Sequence, residues 1–230
     1  MNATAVWTPE DRKNMIEKVV EEHSKATTTR TLVLLILDES GSMGSTKEET
    51  LSGLESYVEN LSEKNNPDFP LYLGLYKFNT QVRGSIGMTE VEKFPMNRVR
   101  REYEPNGGTA LFDAMYKGID YVKSKKNHKD RVLVVTITDG QENSSVLHTS
   151  SQLRKKIESL SKNNQWTFAF LGADKESILS AESLGIQNVF QYAATQVGTQ
   201  RAWDGLYQGT QAYLTSNKSD GTIHIDTSVK

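Results

Sequence analysis

Short, apolar, β-branched runs alternate along this chain with longer amphipathic ones, and few folds accept that order. Continuous apolar strands belong to a parallel sheet covered on both faces, and parallel neighbours need helical crossovers between them. The runs Thr31–Leu37, Leu71–Phe78, Arg131–Ile137 and Thr167–Leu171 read as buried strands, with a shorter one at Asn188–Tyr192. Between them, Thr46–Ser62, Ala110–Ser124, Ser151–Lys162 and Lys175–Leu184 carry helical patterning. Gln81–Ile86 follows its predecessor too closely for a crossover and is predicted to fold back as an antiparallel edge strand. The expectation is one α/β domain with a mostly parallel sheet and helices on both faces.

Two segments flank this core. Thr8–His23 is predicted to be a helix, with Thr8 as cap, Pro9 in the first turn and an apolar stripe at Ile16, Val19 and Val20 that packs beside the sheet. Gly198–Leu214 is predicted to be a final amphipathic helix that buries Trp203, Leu206 and Tyr207. The division is therefore an amino-terminal helical extension over 1–30, the α/β domain over 31–215 and a polar tail over 216–230. The tail's composition fits disorder, although Thr222–Asp226 alternates like a short strand. No internal repeat or low-complexity tract interrupts the pattern.

Charge and cysteine content narrow the function. With 27 Lys and Arg against 29 Asp and Glu, and no long basic run, nothing suggests a nucleic-acid partner. No apolar stretch approaches the length of a membrane span, and the first ten residues lack the make-up of a secretion signal, so a cytoplasmic location is expected. The absence of cysteine excludes disulfides, thiolate metal sites and a cysteine nucleophile. His23, His128, His148 and His224 are scattered, none at zinc-ligand spacing, and are expected at the surface.

In open α/β sheets, ligands bind beyond the carboxyl ends of the strands. Here those ends are polar: Asp38-Glu39-Ser40-Gly41-Ser42-Met43 follows the first strand, Thr138-Asp139-Gly140-Gln141-Glu142 follows the strand at 131–137, and Gly107-Gly108-Thr109 leads into a helix. Mg²⁺ seeks six hard oxygens and keeps waters when the protein supplies only a few ligands. Ser40 and Ser42, two apart on a turn that Gly41 permits, can aim both hydroxyls at one point while Glu39 points away. Thr109 adds a third hydroxyl. Asp38 and Asp139 can bind the ion directly or hold ordered waters and orient the serines. Two carboxylates only balance the dication, so a carboxylate from another molecule would be a favourable last ligand.

The run Asp38-x-Ser40-x-Ser42, the Thr of Gly-Gly-Thr and the Asp of Thr-Asp-Gly resemble the metal-ion-dependent adhesion site of the von Willebrand factor A family, which includes integrin inserted domains. The resemblance extends from about Thr31 to Leu214. It implies a Rossmann-like, doubly wound sheet of six strands with one antiparallel edge strand, and metal-dependent recognition of partner proteins through an acidic residue, with Mg²⁺ or Mn²⁺ held by Asp38, Ser40, Ser42, Thr109 and Asp139. In integrin-type relatives the final helix shifts on engagement. Intracellular members in bacteria and their viruses work beside AAA-type ATPases, which makes such an ATPase a candidate partner.

Three functions compete on the residues. The first is a metal-dependent protein-binding module with no catalysis. The second is a Mg²⁺-dependent phosphatase or phosphoryl-transfer enzyme; against it, a haloacid-dehalogenase-type site would place Asp where Ser40 stands, and there is no Gly-rich Lys-Ser/Thr loop. The third is a structural adaptor in which metal only steadies loops. Glu39 and Glu142 are expected to be ordinary exposed charges; Asp113, one turn after Thr109, can steady the loop or simply favour the start of its helix, and the second is preferred.

Overall fold

A computed structural model describes residues 8, 10–16, 18, 29–215 and 223. Among them six strands form one sheet: β1 (Thr31–Asp38), β2 (Leu71–Phe78), β3 (Val82–Glu90), β4 (Arg131–Thr138), β5 (Trp166–Gly172) and β6 (Asn188–Gln191). Their order is β3-β2-β1-β4-β5-β6. All pairs are parallel except β2–β3, which puts the antiparallel strand at the edge, as predicted. The helices are α1 (Lys47–Glu63), α2 (Met96–Glu102), α3 (Leu111–Lys125), α4 (Ser150–Ser161), α5 (Lys175–Ser183) and α6 (Gln196–Thr215).

Side chains of β1 alternate between two cores, as the period of two along a strand requires. Val33, Leu35 and Leu37 join Leu51 and Leu54 of α1 and Trp203 and Leu206 of α6. Leu32, Leu34 and Ile36 join Leu111, Met115 and Ile119 of α3, Leu153 of α4 and Ala181 of α5. Every residue of β1 is buried, which is why its sequence shows no polar alternation. On the first face α6 lies close against α1. A β-carbon on Gly53 would fall 2.2 Å from the Trp203 ring, so the indole fills the space that glycine leaves. Tyr57 tilts against the same indole, and its hydroxyl bonds Thr210 at 3.0 Å. Trp203 and Leu206 are buried and Tyr207 packs against this core, so the final helix spends its aromatic stripe on packing as predicted.

Helix α2, a single short helix that places Val99 and, just after it, Tyr103 in the core, is not predicted from the sequence. Seven residues with one apolar anchor carry too little periodicity to be seen. At the amino terminus, residues 10–16 and 18 are helical, and Thr8 and Asp11 cap the first turn reciprocally: Asp11 N–H bonds Thr8 Oγ1 at 3.1 Å and Thr8 N–H bonds Asp11 Oδ2 at 2.9 Å. These described residues do not pack beside the sheet. Ile16 is 63% exposed, and Met15 and Ile16 stand among Glu10, Asp11, Arg12, Lys13 and Lys18, too narrow an apolar stripe to hold the helix down. Val19, Val20 and His23 lie outside the described residues. So does the polar tail except Ile223, which is buried and donates its N–H to Asn188 Oδ1 at 3.0 Å.

Candidate functional site

The register of the two central strands sets up the site. Leu37 of β1 lies level with Ile137 of β4, so Asp38 and Thr138 emerge side by side at the carboxyl edge. The Thr138 hydroxyl donates to Asp38 Oδ2 at 2.5 Å, while Asp38 Oδ1 accepts the Ser40 N–H at 2.7 Å. That second bond folds the chain back after β1, turning Ser40 into a short 3₁₀ turn over Gly41–Thr46. Ser40 and Ser42 hydroxyls come to 3.1 Å of each other, and Ser42 Oγ donates to Asp139 Oδ1 at 2.6 Å. Thr109 closes the set from the third loop. A β-carbon built on Gly140 would lie 3.5 Å from both Ser42 Oγ and Thr109 Oγ1, so these two hydroxyls face a common point. All five residues singled out in the sequence are therefore brought together, with Asp38, Ser40 and Thr109 buried and Ser42 exposed.

Burial pushes the Asp38 carboxyl up to about 6, against the hydrogen bonds from Thr138 and Ser40 and with help from the nearby charge of Asp139. Asp139 is also raised, first by burial and further by Asp174, which caps α5 just beyond β5. Three carboxylates thus share one edge, the inner two raised by burial. Such a place favours a cation. Among the described residues no group of three or more His, Asp or Glu could hold a metal, so a cation here depends on the hydroxyls, and that donor chemistry suits a hard ion that keeps part of its water.

The loops are held by residues that the sequence reading had set aside. Glu39 is not an exposed charge: it is 2% exposed, its Oε1 accepts Lys77 Nζ at 2.9 Å and Glu104 N–H at 2.7 Å, and Lys77 also donates to the Glu102 carbonyl. A buried carboxylate needs partners, and Lys77 comes from β2, too far along the chain to be foreseen. It does point away from the serines, as expected. Tyr103 donates to the Asp38 carbonyl at 2.7 Å, so the turn after α2 also braces β1.

Glu142 is likewise spent on structure. It accepts the N–H groups of Phe112, Ser144 and Ser145 at 2.9, 2.9 and 2.7 Å, which fits a carboxylate at the start of α3. Asp113 does far more than favour a helix start. It receives the N–H groups of Val146, Leu147 and His148 and lies 3.0 Å from His148 Nδ1. Burial pushes its carboxyl up, but these donors together hold it below the ordinary carboxylate value. His148 is half-buried and stacks on Tyr116 at 3.8 Å between centroids, so it is not one of the simple surface histidines expected; His128 is exposed, and His224 lies outside the described residues.

The glycine that the site needs is not Gly41, whose φ is ordinary and whose surroundings would accept a β-carbon, but Gly107. Its φ of +72° is left-handed, and a β-carbon there would meet Thr80 Oγ1 at 2.5 Å. Thr80 Oγ1 instead accepts the next N–H, that of Gly108, and so fixes the approach of Thr109.

A doubly wound sheet whose central carboxyl edge gathers these five side chains defines a class of protein, and the sequence family agrees. The model of the von Willebrand factor type A domain matches residues 33–213, and the chain belongs to that family. It has no significant sequence match among curated proteins. Solved structures share the fold at low identity. The PilB minor pilin from Streptococcus sanguinis is 12% identical over 81% of this chain and 62% of that one, with a TM-score of 0.60. The vWF domain of the type V pili tip protein Mfa5 from Porphyromonas gingivalis is 10% identical, over 84% of this chain and 98% of that one, with a TM-score of 0.61. A von Willebrand factor type A protein from Catenulispora acidiphila is 15% identical over 79% and 43%, with a TM-score of 0.59. This chain thus spans less than two thirds of the PilB pilin it resembles.

Proposed function

We propose that the chain is a protein-binding module in which Asp38, Ser40, Ser42, Thr109 and Asp139 hold Mg²⁺, or Mn²⁺ in its place, and a carboxylate of the partner completes the coordination. The observation that carries this reading is the convergence of Ser42 and Thr109 hydroxyls on one point, beside Ser40 and two carboxylates that burial has made costly to keep charged alone. A dication relieves that cost. When bound, it supplies an electrophilic position to which a hard anionic oxygen can add. The chain's own residues do the rest: Thr138 and Ser40 N–H orient Asp38, Asp139 orients Ser42, and the Lys77–Glu39 pair anchors the turn from behind.

The phosphoryl-transfer alternative gains nothing from this geometry. It calls for cationic groups facing a phosphate, whereas Lys77, on the strand beside β1, is buried and turned onto Glu39 and the main chain. Pilus proteins among the fold's relatives fit a binding role.

The test is titration of the chain with MgCl₂ and MnCl₂ by calorimetry, with thermal unfolding in parallel. Saturation at one hundred times the dissociation constant should stabilise the chain by about 2.7 kcal/mol, and EDTA should reverse it. Ser40→Ala with Ser42→Ala should abolish both signals. A chain that takes up neither ion, or a double variant that binds as well, defeats the reading.

A further inference from the structure

We infer that the partner of this site presents one carboxylate beside an aliphatic or aromatic side chain, the second group being received by Val146 and Leu147; this rests on the metal-dependent binding role proposed above. Val146 is 86% exposed and Leu147 59% exposed, and they are consecutive. Single apolar residues at a surface are ordinary, but a neighbouring pair on a tightly held loop is not what solvation alone would choose.

The loop is fixed by its backbone while the side chains of Val146 and Leu147 stay exposed on it. Val146 and Leu147 N–H groups end on Asp113, Ser144 and Ser145 N–H groups end on Glu142, and the amides of Asn143 and Ser144 reach the Thr109 carbonyl at 3.0 and 3.3 Å. A loop already ordered in this way loses little freedom when a partner settles on it, so burying its apolar side chains is converted into affinity with small loss. The same bonds tie it to Thr109. Val146 is two residues beyond Ser144, which places it within about 10–15 Å of the Thr109 hydroxyl. An extended segment covers that span in about three or four residues.

Charge restricts the segment further. Asp38, Asp139 and Asp174 gather on this edge, so one carboxylate is welcome only where the ion receives it and further acidic residues are repelled. The occupant that fits is a singly acidic, otherwise apolar protein segment, with its apolar residue about three or four positions from the Asp or Glu.

The experiment uses the whole chain, immobilised in MgCl₂ and panned against a displayed random peptide library, with EDTA elution. Eluted peptides should carry one Asp or Glu with an aliphatic or aromatic residue about three or four positions away. Synthetic copies should bind Val146→Ser/Leu147→Ser about tenfold or more weakly than the unaltered chain, the loss expected for two aliphatic side chains left in water. Mn²⁺ uptake by that double variant should be unchanged, since both backbone N–H groups remain. Metal-dependent peptides that lack the apolar residue, or that bind the double variant equally well, overturn this inference and leave the metal site standing. So does a chain that binds Mn²⁺ yet yields no EDTA-eluted peptide. A chain that takes up no Mn²⁺ removes both readings together.

Discussion

Two loops leave adjacent points of the same sheet edge, and each is built around buried carboxylates, yet the carboxylates behave in opposite ways. In the loop after β1, Asp38 accepts one N–H and one hydroxyl, and burial outweighs them, so its carboxyl is raised to about 6. Around the loop after β4, Asp113 accepts three N–H groups and faces a histidine ring, and its carboxyl is lowered. The difference teaches that burial alone does not decide whether a carboxyl is raised or lowered. What tells the two apart is how many donors the protein aims at each. Asp113 is satisfied from within, whereas two donors leave the Asp38 carboxyl raised, a cost that the metal proposed above would relieve.

Breaking the satisfied side should cost most. Asp113→Ala strands three main-chain donors and should destabilise the chain by about 3–4 kcal/mol in urea unfolding, with or without MgCl₂. Because the Asp113 carboxyl is lowered on folding, its contribution is present above the ordinary carboxylate range and is lost as pH falls through the lowered value, so the gap between wild type and variant should close in acid. The unsatisfied side should respond in the opposite direction. Asp38→Asn in EDTA at neutral pH should stabilise the chain by up to about 3 kcal/mol while removing any gain from MgCl₂. The sign follows from a carboxyl raised from 3.8 to about 6: its contribution is fully present below 3.8 and is lost as pH rises through about 6. Wild type in EDTA should therefore firm up between pH 7 and 5 relative to the asparagine variant, and a flat difference would contradict the contrast.

A third comparison sharpens it without touching a carboxylate. Gly140→Ala places a carbon in ordinary contact with Ser42 and Thr109, so unfolding should change by less than about 0.5 kcal/mol. Calorimetric Mg²⁺ affinity should nevertheless fall about tenfold or more, near 1.4 kcal/mol, because the carbon occupies space beside the ion. The smallest effect is expected where the loop after β4 enters α4. Thr149 there forms a capping box with Gln152, and Thr149→Ala should cost about 1 kcal/mol in urea with no change in metal binding.

The central strands β1, β4 and β5 were legible because each spans a continuous buried run, β3 because it follows β2 too closely for a crossover, and the five candidate metal residues because their types and order are unusual together. The groups that hold those five were not. Glu39 and Glu142 look like any surface glutamate in the sequence, and only the arrival of Lys77 from β2, or of the first turn of α3, gives them partners. Asp113 shows the same limit more sharply. Its position one turn after Thr109 suggests a generic helix-start charge, while its real donors lie more than thirty residues away in the loop after β4. Long-range hydrogen bonds leave no periodicity behind, and the pair Val146 and Leu147 says nothing until the loop beneath it is seen to be fixed.

Trp203 in the socket of Gly53 carries a mechanical consequence. Sliding α6 by one helical turn, about 5.4 Å, would lift the indole out of the space that the missing β-carbon of Gly53 leaves for it. The helices α1 and α6 are therefore geared together, with Tyr57 and Thr210 as a second tooth. Since α1 begins directly behind the turn that carries Ser42, a displacement of that turn would be transmitted to both helices together, and not to the last helix alone.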